Sequence, residues 1–242
     1  MLDIHCHILP ATDDGPETLQ EALEVAQFCA LDGITHIVAT PHCHQFTHLL
    51  RADILPRVDA FQEALDAAQI PLTIFPGSEI RTSDIALFRA EYNASVLCHL
   101  GDDETYSLLE FSWREAEYPP DAPAQIRWLL ERGTQPIIAH PERHGFFVNE
   151  RTRLHQLVEA GAWLQITVDS LLGHNGPIAQ STGEEFLRFY PNCVLATDAH
   201  RMSRCSGLSA GYAYVAEHLG AERAEDLKAR ADAILMHLLC VS

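Results

Sequence analysis

No apolar run in this 242-residue sequence approaches the roughly 20 residues that cross a bilayer. Its first residues, Met1-Leu2-Asp3-Ile4-His5, form neither a basic nor an apolar leader, so the expectation is a protein neither exported nor inserted into a membrane. Positive charge is scarce. Sixteen Lys and Arg stand against 34 Asp and Glu, a net charge of −18 with histidine neutral. Such a surface repels phosphodiester backbones and anionic lipid, which argues against general nucleic-acid or membrane binding. The seven cysteines are an odd number with no CxxC pair, pointing to a reducing cytoplasm. None has the arginine six positions on that a thiol phosphatase needs; Cys43 to Arg51 and Cys193 to Arg201 each enclose seven residues. A Walker phosphate loop is missing. Gly207-Leu208-Ser209-Ala210-Gly211 fits Gly-x-Ser-x-Gly, but the polar stretch before it cannot be the buried strand of a nucleophile elbow. With no linker, low-complexity tract or repeat, residues 1–242 are expected to form a single domain.

What the sequence does have is a 47% hydrophobic content, enough for a sizeable core, and 14 histidines. Short apolar runs alternate with segments of helical period. Strands are expected at residues 2–4, 36–39, 72–75, 106–111, 135–139, 163–168 and 193–197. Helices are expected near 17–31, 52–68, 83–92, 122–132, 150–160 and 184–190, with two more after Gly211. Seven strands alternating with helices imply a parallel α/β sheet, either a (β/α) barrel or an open doubly wound sheet.

In such folds the site lies where strands hand over to the following loops. Strand one ends in His5-Cys6-His7, whose two imidazoles share a face on an extended chain. Cys6 alternates away and is expected to be buried. The other strand ends carry His42, Glu79, Glu110, His140 and the pair Asp198 and His200, while the first loop adds Asp14 beside Asp13. A random polar rim would include Lys, Ser, Asn and Gln. Nine His, Asp and Glu side chains are too many for one ion and suit two or three divalent cations, zinc, manganese or iron rather than calcium or magnesium alone. Four carboxylates in one mouth would also repel one another without cations. Asp13 is expected to support a ligand from behind.

The runs His5-x-His7, Asp13-Asp14-Gly15-Pro16, Thr40-Pro41-His42, Gly77-Ser78-Glu79, Glu110-Phe111, Ala139-His140-Pro141-Glu142-Arg143 and Asp198-Ala199-His200 resemble the ordered motifs of the polymerase-and-histidinol-phosphatase (PHP) superfamily. They are most similar to its bacterial metal-dependent protein-tyrosine phosphatases of capsule and exopolysaccharide synthesis. That resemblance implies a distorted (β/α)7 TIM-like barrel, a trinuclear metal centre with manganese as the expected metal and iron or zinc as alternatives, and hydrolysis of a phosphate monoester. It implies one ion on His5, His7, Glu79 and Asp198, a second on Glu79, Glu110 and His140, and a third on Asp14, His42 and His200. Histidinol phosphatases usually have histidine where this chain has Asp14 and Glu110. The segment after His200, Arg201-Met202-Ser203-Arg204-Cys205-Ser206-Gly207, departs from the family pattern.

The expected catalytic residues are Arg143, Asp198 and His200, with Arg143 clamping phosphate oxygens and Arg81 and Arg201 as further substrate contacts. The expected partner is a phosphotyrosyl protein, such as the tail of a bacterial tyrosine kinase, or a small phosphomonoester. Histidinol phosphate and a PHP-type nuclease reaction are the rival enzyme readings. A non-catalytic module in which metals only support the fold is the rival of a different class.

Overall fold

The computed structural model describes residues 1–44 and 47–241. Among the described residues nine strands and ten α-helices alternate, and every strand pairing is parallel. The strands are β1 (Leu2–Cys6), β2 (His36–Ala39), β3 (His42–Cys43), β4 (Thr73–Pro76), β5 (Glu79–Arg81), β6 (Tyr106–Glu110), β7 (Gln135–Ala139), β8 (Trp163–Thr167) and β9 (Cys193–Ala196). They form a three-stranded sheet, β1-β2-β4, and a six-stranded sheet, β3-β5-β6-β7-β8-β9. The helices are α1 (Leu19–Leu31), α2 (Arg51–Ala67), α3 (Ile85–Asn93), α4 (Ala122–Leu130), α5 (Gly145–Asn149), α6 (Arg151–Glu159), α7 (Val168–Leu171), α8 (Pro177–Phe189), α9 (Leu208–His218) and α10 (Ala221–Val241).

All seven expected strands are present, and two of them are followed by a short further strand that matters for the site. The second stops at Ala39 and resumes at His42; the third stops at Pro76 and resumes at Glu79. Pro41 has no N–H to donate to a ladder, and Gly77 lies so close to Val38 that a Cβ would come within 2.6 Å of its Cγ1. Each chain thus leaves the first sheet and joins the second, where His42 pairs in register with Glu79. The two sheets also meet at their other margin, through a parallel bridge between Cys6 and Ala199 and an Asp198 N–H bond to His5 O of 2.9 Å.

Side chains from both sheets, including Leu2, Ile4, Val38, Phe75, Leu108, Ile137 and Val194, converge on one small core closed by Ile234 and Leu238 of α10. A larger cluster, with Ile37, Leu109, Ile138, Leu164 and Leu195, packs the other faces of the strands against the helices. Buried on both faces, these strands read as continuous apolar runs. Cys6 is fully buried in the larger cluster.

Two helices begin earlier than their sequence suggests. The sixth expected helix, near 184–190, starts at Pro177, a favourable first helical residue. Its buried face, Ala179, Thr182, Gly183, Phe186 and Leu187, follows the helical period through a stretch whose Ser, Thr and Gly look like a loop. The helix expected after Gly211 starts at Leu208, and Gly211 sits inside it because a Cβ there would meet Val168 Cγ2 at 2.6 Å. Ser209 lies in the first turn and bonds Asp32 through its backbone N–H and its hydroxyl, so the Gly-x-Ser-x-Gly run is a helix start rather than a nucleophile elbow.

Candidate metal centre and its mouth

All nine expected donor side chains come together at the C-terminal ends of the strands. His5 is the last residue but one of β1 with His7 just beyond the strand, β3 begins at His42, β5 begins at Glu79, and β6 ends at Glu110. His140 follows β7, Asp198 and His200 follow β9, and Asp14 lies in the loop after β1. His140 and Asp198 adopt left-handed backbone conformations, φ 33° and 52°, which non-glycine residues take at a cost where the surroundings enforce it. Here His140 N–H bonds Gln165 Oε1 at 3.1 Å and Asp198 N–H bonds His5 O at 2.9 Å.

The donor atoms fall into four overlapping groups: His7, Asp14, His42 and His200; His5, Glu79 and His140; His5, His7 and Asp198; and His42, Glu79 and Glu110. These groups differ from the expected partition in that His7 also faces Asp14, His42 and His200, while His42 faces Glu79 and Glu110. His5 Nε2 and His7 Nε2 lie 3.1 Å apart, and Asp198 Oδ1 lies 3.3 and 3.5 Å from them. Glu79 Oε2 lies 3.7 and 3.5 Å from the same two nitrogens and 2.8 Å from His42 Nδ1. Glu110 Oε1 and His140 Nδ1 are buried atoms without a hydrogen-bond partner, while His42 Nδ1 and Glu79 Oε2 have only each other at close range. Lone pairs that converge from five imidazoles and four carboxylates, several of them unspent, fit divalent cations.

A second layer orients the donors. Asp13 Oδ2 lies 2.7 Å from His7 Nδ1 and accepts the His42 backbone N–H at 3.0 Å. Gln165 Oε1 lies 2.9 Å from His5 Nδ1 and also accepts from His140 N–H, so one amide fixes two donors. Asp3, with burial pushing its carboxyl up to about 6, accepts from the Thr197 backbone and hydroxyl directly before Asp198.

The electrostatics show a cluster held together by shared protons. Burial disfavours charge on Glu79 and Asp198, but the imidazoles around them more than reverse it and hold both carboxyls well below the usual range. Burial likewise opposes charge on His7 and His42, yet Asp13 raises His7 to about 10, and Asp14 and Glu79 raise His42 to about 11. Glu110, buried and repelled by Glu79, is pushed up to about 7. Divalent cations would displace those protons and take the same lone pairs.

The donors floor a cavity of ≈ 450 Å³ that Trp113, Arg143 and Arg204 also line. Arg143 Nη1 donates to Asp198 Oδ2, and the Arg143 guanidinium lies over the Trp113 ring at 5.3 Å. Neither of the two arginines expected as further substrate contacts lines this cavity. Arg201 turns away from the mouth to Gly15 O (3.0 Å) and Glu17 (2.9 Å), and Arg204 takes the place beside Asp14 and Asp198, at 3.8 and 4.0 Å. Arg81 bonds Glu110 Oε2 at 2.9 and 2.7 Å and lines a separate groove instead of this cavity. Glu142 does not pair with Arg143; it is buried, accepting from Ser170 Oγ and Thr167 N–H. Sequence reasoning missed Gln165, whose signal was an amide inside the apolar run Leu164-Gln165-Ile166, and Trp113 and Arg204, which had none.

The model of the family described as capsular polysaccharide synthesis, CpsB/CapC, matches residues 1–236. Tyrosine-protein phosphatase YwqE of Bacillus subtilis (strain 168) is 33% identical over 205 residues, 84% of this chain and 78% of that protein. Tyrosine-protein phosphatase CpsB of Streptococcus pneumoniae is 26% identical over 234 residues, 94% of each chain. A chain from the crystal structures of YwqE and CpsB from these organisms, described as unique metal-dependent tyrosine phosphatases, superposes with TM-score 0.89 at 31% identity, over 98% of this chain and 94% of that one. With the match running through every strand end described above, the chain belongs to the CpsB/CapC family of capsular polysaccharide synthesis.

Proposed function

We propose that the protein is a metal-dependent phosphomonoesterase acting on phosphotyrosyl protein, and that residues 1–242 work as one domain in which the two sheets form a distorted (β/α)7 barrel. The observation that carries this reading is the nine-donor cluster opening into a mouth beside Arg143 and Arg204. In this reading His5, His7, Glu79 and Asp198 hold one ion, Glu79, Glu110 and His140 a second, and Asp14, His42 and His200 a third, manganese being the choice and iron or zinc the alternatives. Such ions would polarise the phosphoryl oxygens and lower the pKa of a water toward neutrality. Arg143 and Arg204 would grip the phosphoryl oxygens and oppose the charge that grows during transfer. Gln165 and Asp13 would keep the imidazoles in the orientation their donor role needs. The partner fitting this reading is a tyrosine kinase tail governing polysaccharide export in the cytoplasm; the names of the relatives support a phosphotyrosyl protein as substrate, and the family description supports the link to capsular polysaccharide synthesis.

The deciding experiment compares metal-loaded protein on a phosphotyrosyl peptide, histidinol phosphate and single-stranded DNA, with metal content measured alongside. The phosphotyrosyl peptide is expected to be the preferred substrate. Preference for histidinol phosphate would move the assignment to that branch, and fully metallated protein inert across a broad phosphomonoester panel would leave a non-catalytic module.

A further inference from the structure

The mouth continues sideways into a second groove of ≈ 740 Å³, and Trp113 and Arg143 line both. This groove runs between α5 and the start of α8, past Val148, Asn149, Asn175 and Ile178. We propose that it is a polypeptide subsite: the phenyl ring of a phosphotyrosine packs on the exposed part of Trp113, and the chain flanking that residue lies along the groove. The proposal rests on the phosphotyrosyl reading above and adds the surface that recognises the rest of the substrate.

Four observations carry it. A phosphoryl group held by the donor cluster and Arg143 puts its ester oxygen and aromatic ring at the rim, where Trp113 stands 49% exposed. That indole is held in place rather than free to swing, stacked on His144 with ring centroids 4.3 Å apart and under the Arg143 guanidinium. Aromatic rings prefer such a fixed partner, which costs little entropy on binding. Beyond it, Ile178 is 65% exposed directly after Pro177, on a rigid first helical turn. Two large apolar side chains left in water beside a reactive mouth mark a binding surface. The exposed side chains of Asn149 and Asn175 flank this apolar strip with amides suited to peptide N–H and C=O groups.

Charge selects this groove over its neighbour. Another groove of ≈ 710 Å³, which shares no lining residue with the mouth, runs past Arg81 and Leu87, and Asp84, Glu91 and Glu117 line it. His48 and Arg81 also line it, but His48 is paired with Glu91 and Arg81 with Glu110, so the chain flanking a phosphotyrosine meets more carboxylates there than in the proposed subsite. The only carboxylate lining the proposed subsite among the described residues is Glu142, which is buried and hydrogen-bonded away from the groove.

The test titrates metal-loaded protein with phenylphosphonate and with a peptide carrying phosphonomethyl-phenylalanine, which binds without turnover. Ile178→Glu combined with Asn149→Asp is expected to weaken the peptide about tenfold and phenylphosphonate by less than about twofold. Trp113→Leu is expected to weaken phenylphosphonate several-fold more than inorganic phosphate, with Trp113→Phe restoring most of the loss. Leu87→Glu, in the separate groove past Arg81, is expected to leave the peptide unchanged. Peptide affinity indifferent to the Ile178/Asn149 changes, or lost on Leu87→Glu, overturns the proposal. Wild-type protein that turns over neither phenyl phosphate nor phosphotyrosyl peptide would strike the phosphatase reading alone, because the phosphonate titration still decides the groove.

Discussion

Histidines from two regions of this molecule, one packed beside β6 and two in the mouth, have opposite fates. His99, 4% exposed beside the start of β6, touches the edge of the Tyr92 ring at 5.3 Å and bonds the Ser107 hydroxyl. Burial drives its pKa down to about 4, against which Asp102 and Asp103 act only weakly. His7 and His42 in the mouth are pushed the other way, to about 10 and 11, although burial opposes their charge as well. Carboxylates within reach separate His7 and His42 from His99, although in the same mouth burial still holds His140 and His200 below the ordinary value against Glu79, Asp198 and Asp14. A hydroxyl and an aromatic edge satisfy a neutral imidazole, whereas Asp13, Asp14 and Glu79 demand cations, first protons and then metals. Burial alone therefore says little about a histidine; the company it keeps decides between packing and ligation.

The sharpest way to break this contrast is to remove donors from the mouth. His5→Ala combined with His7→Ala is expected to strip bound metal, seen by elemental analysis, and to lower phosphomonoester turnover to that of chelator-treated protein. Unchanged metal content with wild-type turnover would sink the metal reading. Arg143→Ala separates phosphate contact from metal assembly. It should cost on the order of 2–4 kcal/mol of transition-state stabilisation, about 30- to 1000-fold in kcat/KM, with normal metal content. Loss of the metals together with activity would show that Arg143 serves the ligand Asp198 instead of the substrate.

Gln165→Leu tests the second layer, because one amide oxygen orients both His5 and His140. Metal affinity measured by chelator competition should fall about 10- to 100-fold, with secondary structure by circular dichroism intact. The smallest effect is expected at the other histidine. His99 is neutral in the fold with a pKa near 4, and its ordinary value is 6.5. The unfolded chain therefore takes up the proton first as pH falls, and stability present above about pH 6.5 is lost progressively toward pH 4. Denaturant titrations should show wild type losing about 1–2 kcal/mol more than His99→Gln between pH 7 and pH 5. Equal losses would mean that His99 is not the group that stays neutral.

What the sequence determined by itself was whatever is local and periodic. Strand cores such as residues 135–139 and 193–196 announce themselves because a strand buried on both faces must be apolar throughout. The donors could be read because parallel strands all deliver their C-terminal ends to one side, so His, Asp and Glu recurring there are neighbours before any coordinate is known. Tertiary structure decided the rest. The breaks at Pro41 and Gly77, which carry His42 and Glu79 from one sheet to the other, exist only because two sheets compete for the same chain. Gly183 and Gly211 read as helix breakers, yet both lie within helices whose buried faces pack closely on the strand-to-helix segment around Ile166 and Val168. The choice of Arg204 over Arg201 for the mouth, and the meeting of Trp113 with Arg143, depend on how loops far apart in sequence settle against one another. No periodicity records that, because loop positions are set by the contacts they make and not by a repeat along the chain.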